Sequence, residues 1–308
     1  MKNSAGGIFT VVSTRFGVGV TDIEWLKHRL ALFKAITAPC LRNQERQDFT
    51  WCIFVGVGAF DWVIEELKLI TRGIGSSVEI VKSAQDLDHL RMLAADSKKQ
   101  HVIVAMIDDD DAWMTGLTRE INIAAEGFIG EGKSKRLYTY TTGIEWLVTD
   151  IADIDALQKK NAKIIRRQAA YPYRRPFLTM SSFTLAPVGE IPDGIFDAHS
   201  SYGQSVAEAG FELVEIENVS PAWLYVRHKQ ADSSIRKAHD VAALNHSLAE
   251  FAEMFGIDEQ LVRAYQSEAE GYGYSVKRIR KGGDRSNMVF RLDESEGFSV
   301  EKPTARSI

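Results

Sequence analysis

The chain has 308 residues, of which 45% are hydrophobic and 26% are charged, and its formal net charge is −5. This length is sufficient for one large domain or two modest ones, and the composition is that of an ordinary soluble globular protein. The negative net charge gives no support for binding to nucleic acid or to an anionic membrane. Partners of these two kinds are therefore not expected.

Neither a membrane span nor a secretion signal is expected. The most apolar stretch, residues 51–59, is far shorter than the roughly 20 residues that a membrane-spanning helix requires. The apolar run at residues 8–12 is too brief for the core of a signal peptide. Cys40 and Cys52 cannot form a disulfide framework and have no zinc-binding spacing with histidine. These features predict a protein of the reducing cytoplasm.

Strands and helices are predicted to alternate through roughly the first hundred residues. Short apolar runs predict strands at residues 8–13, 49–57, 78–81 and 101–107. Apolar residues at helical spacing predict helices at residues 24–36, 62–70 and 86–95. Such alternation indicates an α/β fold with a mostly parallel central sheet and crossover helices on its faces.

The second half of the chain has a less regular pattern. Further strands are predicted at residues 136–142, 177–186, 211–216 and 223–226, and helices at 151–167, at 205–209 and twice between 240 and 268. Residues 271–308 are charged and glycine-rich, and their end is predicted to be mobile. We expect one domain at residues 1–235, with halves at 1–112 and 113–235, and a helical C-terminal extension with a mobile tail at 236–308.

Four consecutive aspartates, Asp108 to Asp111, directly follow the predicted strand at residues 101–107. Oxygen-only ligands suit Mg²⁺ or Mn²⁺, so the tetrad is a candidate metal site that handles a phosphate-bearing substrate. The alternative is a solvated acidic turn before a helix, where aspartate is favoured by capping and by the helix dipole. Because parallel sheets bind ligands beyond the carboxyl ends of their strands, the position favours the metal site.

The order of these features resembles the nucleotide-sugar half of GT-A (Rossmann-like) glycosyltransferases. More closely, it resembles the bacterial family described as putative rhamnosyltransferases. The residues that carry the resemblance are Thr14–Phe16, Trp25–Leu26, Arg29, Leu32–Phe33, Pro39, Leu41, Gln44, Phe49–Trp51, Ile107–Ala112 and Trp223–His228. The resemblance extends over residues 8–230 and rests on the order and spacing of short motifs.

The resemblance implies a divalent cation, Mn²⁺ or Mg²⁺, between the tetrad and the diphosphate of a nucleotide-sugar donor. In the register of the family motif, Asp108 faces the ribose and the metal, Asp110 is a metal ligand, and Asp111 is a ligand or supports one. Asp109 is expected either to contact the donor or to point away, because neighbours on an extended chain alternate sides. A shift of one residue would exchange these roles. His228 completes the metal site, and Arg227 is an alternative contact to phosphate.

Several charged residues are predicted to bind the donor. Arg15 follows the first strand, where family members contact the nucleotide, although it could be a solvated loop residue. Asp86, Asp88 and Arg91 lie where related enzymes hold the base and ribose; alternatively, Asp88 and Arg91 form an i,i+3 ion pair on a solvated face. Arg174 and Arg175 are a compact basic pair that could clamp a diphosphate or remain solvated.

The group that activates the acceptor is predicted to be His199 or Asp197. An inverting transferase needs a carboxylate or a histidine to take the proton of the acceptor hydroxyl. Many GT-A enzymes carry a Glu-Asp pair for this purpose, and this chain has none between residues 196 and 210. His199 has the nearest useful position and an ordinary pKa near 6.5, and Asp197 competes with it.

The resemblance thus predicts a soluble, metal-dependent glycosyltransferase of bacterial surface-polysaccharide biosynthesis. It would move a sugar, with inversion, from a nucleotide-diphosphate donor to a saccharide or lipid-linked acceptor. A nucleotidyltransferase is one alternative, although residues 13–19 lack the lysine of its phosphate loop. A catalytically silent glycan- or nucleotide-binding module on the same fold is another, which the missing Glu-Asp pair would allow.

Overall fold

The structure is a computed structural model that describes residues 7–83, 86–149, 151–152, 164–165, 169–197, 201–229, 242–270, 274–279, 285–293 and 297–301. The chain divides into two compact units. Unit 1 comprises Met1–Ile144, Tyr173–Tyr225 and Ser247–Val262, and unit 2 comprises Glu145–Pro172, Val226–His246 and Arg263–Ile308. No helix in the described part of the chain combines the length and the apolar character needed to cross a membrane.

The regular elements are numbered in chain order. The strands are β1 (Ile8–Phe16), β2 (Phe49–Val55), β3 (Ser77–Lys82), β4 (His101–Met106), β5 (Ala112–Trp113), β6 (Arg136–Tyr140), β7 (Thr142–Leu147), β8 (Ile151–Ala152), β9 (Ile164–Ile165), β10 (Ala170–Arg174), β11 (Ser182–Pro187), β12 (Glu212–Ile216), β13 (Trp223–Arg227), β14 (Tyr274–Ile279), β15 (Arg285–Asp293) and β16 (Gly297–Glu301). The helices are α1 (Ile23–Ala35), α2 (Thr37–Arg42), α3 (Asp61–Thr71), α4 (Asp86–Asp96), α5 (Leu117–Gly130), α6 (Tyr202–Glu208), α7 (Leu248–Phe255) and α8 (Glu259–Ala269). Two 3₁₀ turns lie at Thr179–Ser181 and Asp193–Phe196.

A seven-stranded sheet forms the centre of unit 1, with strand order β12-β6-β11-β4-β1-β2-β3. Strands β1 to β4 are parallel to their neighbours among themselves, β12 is parallel to β6, and β11 is antiparallel to both β4 and β6. All seven residues of β2 are buried, as expected for a parallel strand covered on both faces. The predicted α/β fold with a mostly parallel central sheet is therefore confirmed.

Helices cover both faces of this sheet. Because side chains alternate along a strand, Thr10 and Val11 of β1 face opposite sides. Thr10 donates a hydrogen bond to Asn122 of α5 (3.1 Å), whereas Val11 belongs to the core cluster that α4 and α6 complete with Leu90 and Val206. The sheet is thus a middle layer with helices packed against both of its faces.

The register of β1 and β4 brings their carboxyl ends to the same edge of the sheet. Ser13 pairs with Met106, and the amide of Ile107 donates to the carbonyl of Ser13 (3.0 Å). Arg15, which lies near the end of β1 and not after it as predicted, and Asp108, which follows β4, are therefore at the same edge. Parallel sheets bind ligands at this edge.

Helix boundaries around the first crossover differ in detail from those predicted. Asp22 caps α1, which begins at Ile23, because its carboxylate accepts from the amide of Trp25 (3.0 Å). The helical backbone is interrupted at Ile36, and α2 begins at Thr37. Pro39 therefore lies in the first turn of a new helix, where the backbone amides have no intrahelical acceptor and the missing amide hydrogen of proline costs nothing. α5 is not among the predicted helices, although its fully buried Leu117, Ile121 and Ala125 recur at helical spacing.

Parts of the second half differ more strongly from the prediction. The helix expected at 151–167 is wrong at its described ends, since Ile151 pairs with Ile165 in an antiparallel β8–β9 ladder. β-Branched isoleucines favour such an extended backbone. The C-terminal extension is not helical throughout, because β14, β15 and β16 form an antiparallel sheet in unit 2. The domain boundary after residue 235 stays a prediction; α7 belongs to unit 1.

Candidate functional site

A cavity of about 240 Å³ opens at the carboxyl ends of β1 and β4. Its lining residues come from β1, from the segment after β4, and from the two 3₁₀ turns and the residue that follows the second. They are Ser13, Arg15, Met106, Ile107, Asp108, Thr179, Phe196 and Asp197. Among the predicted site residues, Arg15, Asp108 and Asp197 are thus brought together, although they are far apart in sequence.

The aspartate tetrad forms a turn rather than an extension of β4, which ends at Met106. The amide of Asp111 approaches the carbonyl of Asp108 (3.4 Å). The hydroxyl of Thr37, at the start of α2, donates to the carbonyls of Asp111 (2.9 Å) and Asp108 (3.3 Å) and so fastens the turn. Asp108 is half-buried at the cavity, whereas the three aspartates that follow it are buried.

Arg29 reaches the tetrad from the buried side of α1. Its Nε and Nη2 donate to the two carboxylate oxygens of Asp109, the first over 3.2 Å, and its Nη1 donates to Oδ2 of Asp110 over 2.7 Å. Its guanidinium carbon lies 5.2 Å from the ring centroid of Trp25. Asp109 and Asp110 thus reach one arginine, because neighbouring side chains in a turn, unlike those in a strand, need not point to opposite sides. A contact of Asp109 with the donor stays a prediction.

Burial sets the acidity of this cluster. Loss of hydration raises the pKa of Asp109 to about 7, the positive charge of Arg29 lowers it, and the negative charge of Asp110 raises it further. Arginine cannot lose its proton in a protein, so Arg29 is a permanent cation among the carboxylates. In the sequence, Arg29 is identified only as a residue of the family motif. A charged residue beside Leu30, on the apolar side of a predicted helix, is the sequence feature that could have indicated its burial.

The donor atoms at the cavity fit a divalent cation that is shared with a substrate. Among the described residues, no group of three or more His, Cys, Asp or Glu side chains is arranged to hold a metal ion. The cavity nevertheless presents oxygen donors, namely the carboxylates of Asp108 and Asp197 and the hydroxyls of Ser13 and Thr179. Mg²⁺ is commonly held by one or two carboxylates together with substrate phosphates. This set suits such an ion, and a metal at Asp110 or Asp111 stays a prediction.

Arg15 lines the cavity and pairs with Asp86, which lies outside the cavity lining. Nε of Arg15 lies 2.9 Å from Oδ2 of Asp86, and the guanidinium carbon lies 4.2 Å from the ring centroid of Phe196. Phe196 in turn meets the edge of Phe54, at a centroid distance of 6.0 Å and an interplanar angle of 84°. The ion pair and the stacked ring hold the arginine beside the cavity before any ligand arrives.

The other predicted donor-binding residues lie outside the cavity lining. Asp88 is exposed on α4. Arg91 does not pair along the helix; its guanidinium donates to the carboxylate of Asp193 (2.6 Å) and to the carbonyl of Ile191 (2.7 Å). Arg91 thus supports the turn that carries Phe196, and its predicted contact with the donor stays a prediction.

Arg174 and Arg175 also lie away from the cavity lining. Arg174 forms an ion pair with Glu217 over 2.7 Å, and both side chains are exposed. The amide of Arg175 donates to the carbonyl of Thr141 over 3.0 Å. The alternative of a solvated pair agrees with the exposure of Arg174, since surface ion pairs of this type contribute little to stability.

Of the two candidate bases, the structure describes Asp197; His199 lies outside the described residues. Asp197 follows the second 3₁₀ turn and is exposed at the cavity, where the hydroxyl of Ser205 in α6 donates to its Oδ2. A methyl group at Gly194 would overlap Cβ of Ser205, so this close approach requires glycine. Gly210, just beyond the C-terminal end of α6, has a left-handed φ of +85°, a conformation that favours glycine at helix ends.

His228 and Arg227 belong to unit 2. His228 follows β13 and is buried. Nε of Arg227 lies 2.7 Å from Oε1 of Glu145, and both side chains of this ion pair are buried. The guanidinium of Arg227, the predicted alternative contact to phosphate, is therefore already paired with the carboxylate of Glu145. A ligand role for His228 stays a prediction.

Residues 20–161 match the family model described as "Putative rhamnosyl transferase". The match confirms the predicted family resemblance. This part of the chain includes α1 with Arg29, the β1–β4 crossovers after residue 20, and the tetrad. The family description supports a transferase. No curated protein matches the chain significantly.

Solved structures similar to the chain include transferases of two kinds. A cytidylyltransferase from Leptospira borgpetersenii serovar Hardjo-bovis has 13% identity and a TM-score of 0.36, over 69% of this chain and 76% of that one. Residues 1–349 of TarS from S. aureus have 9% identity and a TM-score of 0.39, over 71% of this chain and 60% of that one. At these TM-scores the likeness does not bear on function.

Proposed function

We propose that the chain is a glycosyltransferase that moves a sugar from a nucleotide-diphosphate donor to a saccharide or lipid-linked acceptor, with inversion. The observation that carries this proposal is the cavity at the carboxyl ends of β1 and β4, which Asp108, Arg15 and Asp197 share. The family match over residues 20–161 supports the same class of reaction. A cytoplasmic location is part of the proposal.

Arg15 is the proposed contact to the donor diphosphate. Its guanidinium borders the cavity and can donate charge-assisted hydrogen bonds to phosphate oxygens. Because Asp86 and Phe196 already restrain the side chain, little of its conformational freedom remains to be lost on binding. Asp86 thereby contributes to donor binding through Arg15, whether or not it also touches the ribose.

Asp108 is the proposed protein ligand for Mn²⁺ or Mg²⁺, which would stabilise the charge that develops on the departing diphosphate. The carboxylate belongs to a turn that Thr37 fastens through two backbone carbonyls. Its position is therefore set by the fold rather than by the ligand. Such preorganisation is what a site for a charged leaving group requires.

Asp197 is the proposed base. It lines the cavity, as the group that takes the acceptor proton must, and the hydroxyl of Ser205 orients its carboxylate. A carboxylate that accepts the proton as the sugar–oxygen bond forms is a common arrangement for inverting transfer. His199 stays the alternative base, because it follows Asp197 by two residues.

Calorimetry on the purified chain tests the proposal. UDP-, GDP- and dTDP-sugars are titrated with and without Mn²⁺, and binding of at least one donor is expected to strengthen when Mn²⁺ is present. Asp108→Asn is expected to weaken that binding at least about tenfold, because a charged ligand is lost. The matched control is Asp96→Asn, an exposed aspartate on α4 outside the cavity lining. Absence of metal-dependent nucleotide binding by the wild-type chain would refute the proposal.

The same material separates the two alternatives. Release of pyrophosphate from a nucleoside triphosphate and a sugar phosphate would indicate a nucleotidyltransferase. The loop after β1 argues against that activity, because it has left-handed glycines at positions 17 and 19 but no lysine. Tight binding of a donor without any turnover or hydrolysis would indicate a silent binding module.

A further inference from the structure

Each of the three guanidinium nitrogens of Arg29 donates a hydrogen bond to Asp109 or Asp110. Both oxygens of Asp109 accept from it, and Oδ2 of Asp110 accepts from its third nitrogen. The side chains of all three residues are nearly or fully buried, with exposed fractions of 8% for Arg29, 5% for Asp109 and 12% for Asp110. The pairing is therefore part of the folded interior and not a surface contact.

This pairing divides the tetrad into two functions. Arg29 already binds both carboxylate oxygens of Asp109. Its fixed positive charge would repel a metal cation at the same carboxylate. Asp108, by contrast, borders the cavity. A metal that took the bonded oxygens, both of Asp109 and Oδ2 of Asp110, would have to displace Arg29 from a buried site and break three hydrogen bonds.

We infer that Arg29 is a positioning residue, which holds Asp109 and Asp110 as its own counter-ions and thereby presents Asp108 as the tetrad carboxylate that meets the donor. The inference deepens the proposed function and rests on it for the role of Asp108. It replaces the predicted metal role of Asp110 with a role in shaping the turn. Thr37 fixes the backbone of the turn, and Arg29 fixes its side chains.

A consequence is that removal of Asp108 should differ in its effects from removal of Asp109 or Asp110. Loss of an Arg29 partner leaves a buried guanidinium with too few carboxylates, which destabilises the fold. Loss of Asp108 removes one charge from a crowded acidic cluster, which leaves the fold intact or steadies it. Substitution of Asp109 or Asp110 should therefore lower the melting temperature, whereas substitution of Asp108 should weaken metal binding.

The test compares Asp108→Asn, Asp109→Asn and Asp110→Asn in thermal melts without ligand. Asp109→Asn is expected to lower Tm by about 5–10 °C, Asp110→Asn by less, and Asp108→Asn by no more than about 2 °C. Asp96→Asn, on the exposed end of α4, is the matched control and is expected to leave Tm unchanged. Equal melting temperatures for all four variants would overturn the inference.

A second measurement follows free Mn²⁺ by electron paramagnetic resonance in the presence of UDP, GDP or dTDP. Asp108→Asn is expected to lose nucleotide-dependent Mn²⁺ binding, whereas Asp110→Asn is expected to retain it within about threefold. Loss of Mn²⁺ binding in Asp110→Asn at an unchanged Tm would overturn the inference. If the wild-type chain binds no Mn²⁺ with any nucleotide, the proposed function fails, and the melting temperatures alone decide the role of Arg29.

Arginine variants complete the test. Arg29→Lys keeps the charge but loses the planar fork, so its Tm is expected to fall between those of wild type and Arg29→Met. Should Arg29→Met not fold, the triple variant Arg29→Met/Asp109→Asn/Asp110→Asn removes cation and counter-ions together and is expected to fold with a higher Tm than Asp109→Asn alone. A triple variant with Tm at or below that of Asp109→Asn would contradict the pairing.

Discussion

Asp108 and Asp197 border the same cavity, although one follows the fourth strand and the other follows a 3₁₀ turn in the second half of the chain. The first carboxylate emerges beside Arg15 because β1 and β4 are parallel and in register. The second is held by Ser205 from α6. A site for glycosyl transfer needs two acidic groups with separate tasks, one toward the leaving diphosphate and one toward the acceptor hydroxyl.

Replacement of the proposed base should affect turnover more than binding. Asp197→Asn is expected to reduce the rate of nucleotide release from the donor by about 10²- to 10⁴-fold, because general-base assistance is lost. Donor affinity should change little in calorimetry. Asp96→Asn serves as the control, since this exposed aspartate on α4 lies outside the cavity lining. Full turnover by Asp197→Asn would transfer the role of base to His199.

Loss of the guanidinium at the cavity should weaken donor binding. Arg15→Met is expected to raise the Kd of the nucleotide at least about tenfold, because a charge-assisted hydrogen bond to phosphate disappears. Asp86→Asn should have a smaller effect, since the stack on Phe196 still restrains the arginine. Arg174→Gln, which alters an exposed pair with Glu217, should leave Kd within about twofold. Equal effects of the Arg15 and Arg174 variants would contradict this assignment.

The central sheet and the place of the tetrad could be predicted because both depend on local patterns. Apolar runs of strand length alternate with helical spacing, and parallel strands have their carboxyl ends at one edge. The strand order of the central sheet and the place of the tetrad directly after β4 agree with that prediction. Side-chain contacts between residues far apart in sequence leave no comparable pattern in the sequence. Nothing local to Arg29 indicates that it crosses to Asp109, because that contact depends on how α1 packs beside the end of β4.

The second half was harder to predict for related reasons. A helix was expected at residues 151–167, but the described ends of this stretch are paired strands. A polar stretch with helical spacing is compatible with a helix but does not require one. The choice between Asp197 and His199 also depended on tertiary structure. Only the packing of α6 against the second 3₁₀ turn shows that Ser205 meets Asp197.

Both cysteines should be inert in the folded chain. Burial raises the pKa of Cys40 to about 12, an effect that hydrogen bonds with Trp113 and Gln44 offset in part. Burial, with a contribution from the charge of Glu79, raises the pKa of Cys52 to about 12. Thiolate is the reactive form, so native protein at pH 8 should not react with a thiol reagent over hours, whereas denatured protein should titrate two thiols. Fast labelling of either native cysteine would contradict their burial.

The same raised pKa values predict how stability changes in alkaline solution. A neutral thiol is favoured in the folded state, so its contribution is complete below the ordinary pKa of about 9 and is lost as pH rises toward 12. Each thiol should reduce the free energy of unfolding by about 1.4 kcal/mol at pH 10. Urea melts of wild type and Cys40→Ala at pH 7.5 and pH 10 measure this difference. The alanine variant should lose less stability between the two pH values than wild type does.

The buried ion pair of unit 2 should be costly to break and cheap to remove. Glu145→Gln leaves Arg227 without its carboxylate in an interior position, so it is expected to lower the free energy of unfolding by about 3–5 kcal/mol. The double variant Glu145→Gln/Arg227→Met removes both charges and should recover most of that loss, because no uncompensated charge remains buried. Urea unfolding of the two single variants and the double variant measures the coupling free energy between the two side chains directly.

The exposed pair of Lys68 and Glu65 on α3 is the control, and its disruption should cost less than about 1 kcal/mol. Additive losses at Glu145 and Arg227 would show that the two side chains act independently.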